Sequence, residues 1–120
     1  SAHPVACAAG LATLDLLQQH DAPAQVRALA APFEAAVHSL RSARHVADIR
    51  NYGLAAGITI QPWPGEPARR PYHIAMAMLK RGFYVRYGGD TIQLAPPFIS
   101  TPAQIDSLVN ALGDCLNACD

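Results

Sequence analysis

The chain has 120 residues, enough for one domain with one modest hydrophobic core. Hydrophobic residues make up 51% of the sequence and charged residues only 15%, below the usual share of about 25%, so we expect another domain or subunit to cover part of the surface. Nine basic and nine acidic residues balance, which argues against nucleic acid or an anionic membrane as a partner, and no apolar run approaches the roughly 20 residues of a membrane span.

Two helices are predicted in the first third of the chain. Residues 4–20 begin with Pro4, which a first helical turn tolerates, and are apolar on most sides. We expect this helix to need contacts that the 120 residues do not fully supply. Residues 22–42 follow Asp21, a residue type that caps helices, and keep the three-and-four apolar spacing. Pro32 lies inside this pattern and predicts a kink or a break.

Two strands and a loop are predicted next. Residues 45–52 and 57–61 are rich in β-branched residues, and the second segment alternates cleanly between apolar and small or polar positions. The proline-rich residues 62–67 predict a loop that holds the only tryptophan, Trp63. Two interpretations of Trp63 stay open: it packs back onto the local core, or it lies near a substrate or a subunit contact.

The second half of the sequence predicts a helix, a hairpin and a final helix. Residues 70–81 have a helical apolar stripe that stops at Gly82. Residues 83–87 read as a strand, residues 88–90 as a glycine-rich turn, and the second strand ends at the prolines 96–97. Thr101, Pro102 and Gln104 form the signature of a helix start with a capping box. The order of elements predicts an α+β domain with a small, mainly antiparallel sheet covered by helices.

The sequence contains no complete set of catalytic residues. Three cysteines, Cys7, Cys115 and Cys119, are too few for a disulfide scaffold, so we expect a reduced, cytoplasmic setting in which the thiols are buried as small apolar groups. The five histidines form no HxxxH pair and the cysteines no CxxC pair, and we therefore expect no metal site. The single lysine, Lys80, stands at the end of a helix, where solvation explains it.

Arg86 is the strongest candidate for a binding residue. It stands on a predicted strand among aromatic neighbours, in the segment GFYVRYGGD. A guanidinium group presents a planar fork of donors that binds a carboxylate through two parallel hydrogen bonds. From the residues alone, an ion pair on the surface or within the domain is the favoured interpretation of Arg86, and it is favoured more strongly for Arg50.

Three segments resemble those of a known family. The opening SAHPVACAAGLATLDLL resembles SGHPVACAAGLAALD of the class III pyridoxal-phosphate-dependent aminotransferases. VADIRNYGLAAGITI is similar to that family's IRNxGLAGAIxI segment. GFYVRYGGDTIQLAPPFIST resembles the GFYVRFGGDTLQFGPxF hairpin, especially that of the β-alanine or ω-amino acid:pyruvate aminotransferases. The resemblance covers nearly the whole chain in order.

The resemblance implies that residues 1–120 are the C-terminal small domain of a larger enzyme, with residues 1–20 a helix that connects to the large domain. Such an enzyme moves an amino group from an ω-amino acid or amine to pyruvate with pyridoxal 5'-phosphate. Its catalytic lysine and the acidic partner of the cofactor ring lie upstream, so this chain would hold no catalytic, cofactor-binding or metal residue and would be inactive alone.

The resemblance also implies a second subunit, as a homodimer or tetramer, and assigns Arg86 to the substrate carboxylate. The alternative is a free-standing α+β module for interaction or small-molecule binding, without catalysis. An upstream reading frame with a lysine after a strand would favour the enzyme.

Overall fold

The computed structural model describes residues 2–120 and shows an α+β arrangement, as predicted. In chain order the elements are α1 (Pro4–Gln19), α2 (Ala22–His38), a 3₁₀ turn (Ser39–Ser42), β1 (Val46–Tyr52), β2 (Ala55–Ile60), α3 (Arg69–Lys80), β3 (Arg86–Gly88), β4 (Thr91–Leu94) and α4 (Pro102–Ala118). The predicted cap of the last helix is confirmed, because Thr101 and Gln104 form a reciprocal capping box ahead of Pro102.

The four strands form one antiparallel sheet in the order β1-β2-β4-β3. Side chains alternate between the two faces of a sheet. On β2 and β4, Ile58, Ile60, Ile92 and Leu94 are buried, and they define the covered face that α2, α3 and α4 pack against. The positions between them, such as Gln93, define the open face. The domain therefore has two layers, with its core between the covered face and the helices.

The core is continuous across the three packed helices. The largest fully buried helical side chains are Phe33 and Val37 from α2, Ile74 and Met78 from α3, and Ile105, Leu112 and Leu116 from α4. Burying one such side chain contributes about 1.5–3 kcal/mol. The helices are thus held mainly by tertiary packing on one sheet face.

Helix α1 lies outside this core. None of its residues is buried, and Val5, Leu11 and Leu14 are 72%, 65% and 62% exposed. Its N-terminus is capped by the Nδ1 atom of His3, which accepts a hydrogen bond from the backbone N–H of Ala6. Residues 2–120 therefore leave the apolar surface of α1 uncovered. The low share of charged residues in the sequence is most evident on this helix.

Of the two outcomes predicted at Pro32, a kink or a break, the break does not occur. Helix α2 runs through Pro32 to His38 and then tightens into the 3₁₀ turn. Proline removes one hydrogen bond inside a helix, at a cost of about 3 kcal/mol. Its neighbours Leu29, Phe33 and Val37 are all buried on one stripe, and this burial outweighs the loss.

The predicted burial of the cysteines is correct for one of the three. Cys115 is buried, Cys119 is partly buried, and Cys7 is exposed on α1, a helix with no buried residue. Within those residues, no cluster of His, Cys, Asp or Glu has metal-binding geometry, and none of the helices is long and apolar enough to cross a bilayer.

Candidate functional site

The end of α3 sets the position of Arg86. The N–H of Gly82 donates to the carbonyl of Leu79, and the N–H of Phe83 donates to the carbonyl of Met78, both at 3.0 Å. This pair of bonds is the Schellman motif, which Gly82 permits with a φ of +87°. Because Phe83 belongs to the helix end, the strand begins at Arg86 and not at residue 83 as predicted.

Strand register places Arg86 on the open face. Arg86 pairs with Gln93, Gln93 lies across from Gly57, and Gly57 lies across from Arg50. Directly opposed residues of antiparallel strands point to the same side. The row Arg50–Gly57–Gln93–Arg86 therefore crosses the open face, with an arginine on each edge strand.

The two arginines of this row differ in their partners. Arg50 donates through Nη1 to a carboxylate oxygen of Asp48 at 3.1 Å and to the hydroxyl of Thr59 at 2.8 Å. Its guanidinium lies flat over Gly57, where an added Cβ would stand 3.3 Å from Cζ. For Arg50 the ion-pair interpretation is the one that the structure supports.

Arg86 is exposed, and its side chain has no ion pair or hydrogen bond with any of residues 2–120. Its backbone is nevertheless held firmly, because Val85 is buried before it and Tyr87 pairs with Ile92 behind it. Tyr87 turns to the covered face and packs edge-on against Tyr72 of α3, with ring centroids 6.1 Å apart. Arg86 thus combines a fixed base with a guanidinium group whose donors remain free.

Gln93 is a neighbour that the sequence did not single out. Its Nε2 atom lies 3.3 Å from the position that a Cβ at Gly88 would take, so the carboxamide extends from β4 across β3 on the face that carries Arg86. The absence of a side chain at Gly88 makes this space available. The alternation of residues along the hairpin is the sequence signal that could have placed Gln93 on the same face as Arg86.

The remaining candidates take structural or surface positions. Lys80 is exposed in the last turn of α3, and His73 is exposed on the same helix. Trp63 is half-buried, and its ring contacts the guanidinium groups of Arg69 and Arg70, which lie 4.8 and 5.3 Å from the ring centroid. The two interpretations of this residue stay predictions.

The fold and the hairpin motif have counterparts among known proteins. Residues 1–116 match the family model of class III aminotransferases, and the chain belongs to that family. It is 51% identical over 117 residues to the omega-amino acid–pyruvate aminotransferase of Pseudomonas putida, an alignment that covers 98% of this chain and 26% of that protein.

Two further relatives agree with this assignment. The chain is 42% identical over 120 residues to an omega-aminotransferase of Caulobacter vibrioides, covering all of this chain and 27% of that protein. A crystal structure of the PMP-bound form of an aminotransferase from Vibrio fluvialis has a TM-score of 0.86 at 27% identity, over 96% of this chain and 27% of that one. The chain thus spans about a quarter of the length of these relatives.

Proposed function

We propose that the protein is a transaminase that moves an amino group from an ω-amino acid or amine to pyruvate, and that residues 1–120 are its C-terminal small domain. Family membership supports the reaction class, and the names of the Pseudomonas and Caulobacter relatives support the ω-amino substrates. The matched relatives are about four times as long, which supports the assignment of these residues to one domain of a larger enzyme.

Arg86 carries the proposal for substrate binding. An exposed guanidinium with free donors, on a strand fixed by Val85 and Tyr87, is suited to hold a carboxylate in one orientation. Its fork accepts the carboxylate of an amino acid and that of pyruvate through the same two hydrogen bonds. The carboxamide of Gln93 offers a further donor on the same face.

The described residues offer no candidate for the lysine that would bind pyridoxal phosphate covalently. The one lysine is exposed at the end of α3, and nothing around it supplies the desolvation that activates such an amine. We propose that the cofactor and its lysine belong to the part of the enzyme that lies outside these residues. Consistent with this, α1 has an apolar surface for the large domain to cover.

The proposal extends to assembly and location. The uncovered apolar surface supports a homodimer or tetramer as well as contact with the large domain, and the three free cysteines support a cytoplasmic setting. Size-exclusion chromatography with light scattering on the whole enzyme would report the number of subunits.

The reaction is tested on the protein expressed from its whole reading frame. We expect formation of alanine from pyruvate with an ω-amino acid donor, dependent on added pyridoxal phosphate. The 120-residue chain alone, mixed with the cofactor, should show neither a new absorbance band nor alanine formation. A reading frame that starts near Ser1, or a cofactor band from the short chain, would contradict the proposal.

A further inference from the structure

A second group of cationic side chains lines a groove between α3 and α4, on the helical side of the domain and therefore opposite the face that carries Arg86. The cavity measures about 490 Å³. Trp63 is one of its lining residues, and the charged ones are Arg69, Arg70, Arg81 and a single acid, Asp120. Three cationic side chains therefore line the groove, and one of them, Arg81, is already paired with Asp114 at 3.0 Å.

Trp63 brings two of these cations together. The guanidinium carbon of Arg69 lies 4.8 Å and that of Arg70 5.3 Å from the centroid of the indole ring. Stacking on an aromatic face attracts a guanidinium group and leaves the N–H donors at its edge available. Two positively charged forks are therefore neighbours in the lining of the groove.

Each of the two arginines has donors to spare. Arg69 uses Nη1 for a 2.7 Å contact with Glu66, and this pair is exposed. Arg70 donates through Nε to the backbone carbonyl of Asp120 at 2.9 Å and through Nη1 to the carbonyl of Gln61. Exposed ion pairs contribute only about 0–1 kcal/mol, so an anion can join this cluster without breaking a buried interaction.

The floor of the groove is apolar. Ile74 and Cys115 are buried, and Ala77 lies between them on the α3 side. Burial also raises the pKa of the Cys115 thiol, which keeps the floor uncharged at neutral pH. A ligand that matches this lining carries an oxyanion at one end and a flat apolar body behind it.

We propose that this groove binds a small aromatic or similarly flat oxyanion, a carboxylate or a phosphate ester, whose apolar body packs against Trp63 and whose charge is held by Arg69 and Arg70. The site is separate from Arg86, and it does not depend on the transaminase activity. A carboxylate and a phosphate ester offer the same chemistry to two guanidinium groups, and the choice of probes separates them.

Calorimetric titration of the expressed protein with phenyl phosphate and with benzoate tests this site, with inorganic phosphate and chloride at equal ionic strength as controls. We expect saturable binding of at least one aromatic anion, and weaker binding of inorganic phosphate because it lacks the apolar body.

Arg69→Gln and Arg70→Gln should each weaken binding of the aromatic anion about tenfold, the loss expected for one charged hydrogen bond. Arg27→Gln, which replaces an exposed arginine of α2 outside the groove, is the matched control and should leave binding unchanged. Arg69 is exposed, so its variant decides the matter if Arg70→Gln fails to fold by circular dichroism. Equal weak responses to all four anions, or binding that survives Arg69→Gln, would overturn the proposal.

Discussion

Replacing Arg86 with glutamine should separate substrate recognition from stability. The side chain makes no ion pair or hydrogen bond with residues 2–120, so the free energy of unfolding should change by less than about 0.5 kcal/mol. A lost charge-assisted hydrogen bond to a substrate carboxylate costs about 1.5–3 kcal/mol, which corresponds to a decrease of about 10- to 150-fold in kcat/KM.

The assay must isolate the amino donor, because pyruvate itself carries a carboxylate. We would follow the cofactor's absorbance in a single turnover of the whole enzyme with donor alone, comparing β-alanine with an amine that has no carboxylate. Arg86→Gln should slow only the first donor, and Arg86→Lys, which keeps the charge but loses the planar fork, should slow it less.

Arg50→Gln is the matched control on the same sheet face, since Arg50 is already paired with Asp48. Equal losses for both donors in Arg86→Gln would refute the role in carboxylate recognition. A fall of more than about 1 kcal/mol in urea unfolding would instead assign Arg86 to the fold.

Three further predictions concern single side chains. Gln93→Glu places a carboxylate directly across from Arg86, so it should raise the free energy of unfolding by about 0.2–1 kcal/mol and lower kcat/KM for carboxylate donors at least tenfold. A variant that alters neither quantity would show that the two side chains do not meet. Thr101→Ala removes the capping box of α4 and should cost about 1 kcal/mol in urea unfolding, whereas Ser107→Ala on the exposed middle of the same helix should cost almost nothing. Burial raises the pKa of the Cys115 thiol, so its contribution to stability is full below the ordinary thiol pKa of about 8.5 and is lost as the pH rises through the raised value. The free energy of unfolding, measured from pH 7 to 10, should therefore fall less steeply in Cys115→Ala than in the unchanged protein. Parallel curves for the two proteins would contradict this.

Local signals in the sequence were sufficient for most of the fold. The capping box at Thr101 and the alternation around Ile58 and Ile60 each depend on residues within a few positions of one another, and both were predicted correctly. Pro32 shows the limit of such signals. The packing of Phe33 against distant elements outweighs the local cost of proline, and no short window of sequence contains that information.

The site was predictable in identity but only partly in geometry. The motif pointed to Arg86, whereas its freedom from an ion pair depends on which acids the fold brings near it. From the sequence, an ion pair was the favoured interpretation of both Arg86 and Arg50, and only the register between β1 and β2 showed that Thr59 completes the contacts of Arg50. Arg69 and Arg70 follow the loop that holds Trp63, yet their stacking on that ring required coordinates.

The distribution of charge distinguishes the surface that other parts of the enzyme should cover from the surface that should stay open. Helix α1 has a single charged residue, Asp15, in 16 positions, and its Leu11, Leu14 and Leu16 are exposed. Helix α3 has three charged residues in 12 positions and presents them to solvent or to the groove beside α4. Apolar surface is costly to leave in water, whereas a charged surface is costly to bury. Other parts of the enzyme should therefore cover α1 and leave the groove of α3 and α4 open to small anions, so the groove should stay accessible in the assembled protein while Arg86 acts on the opposite face.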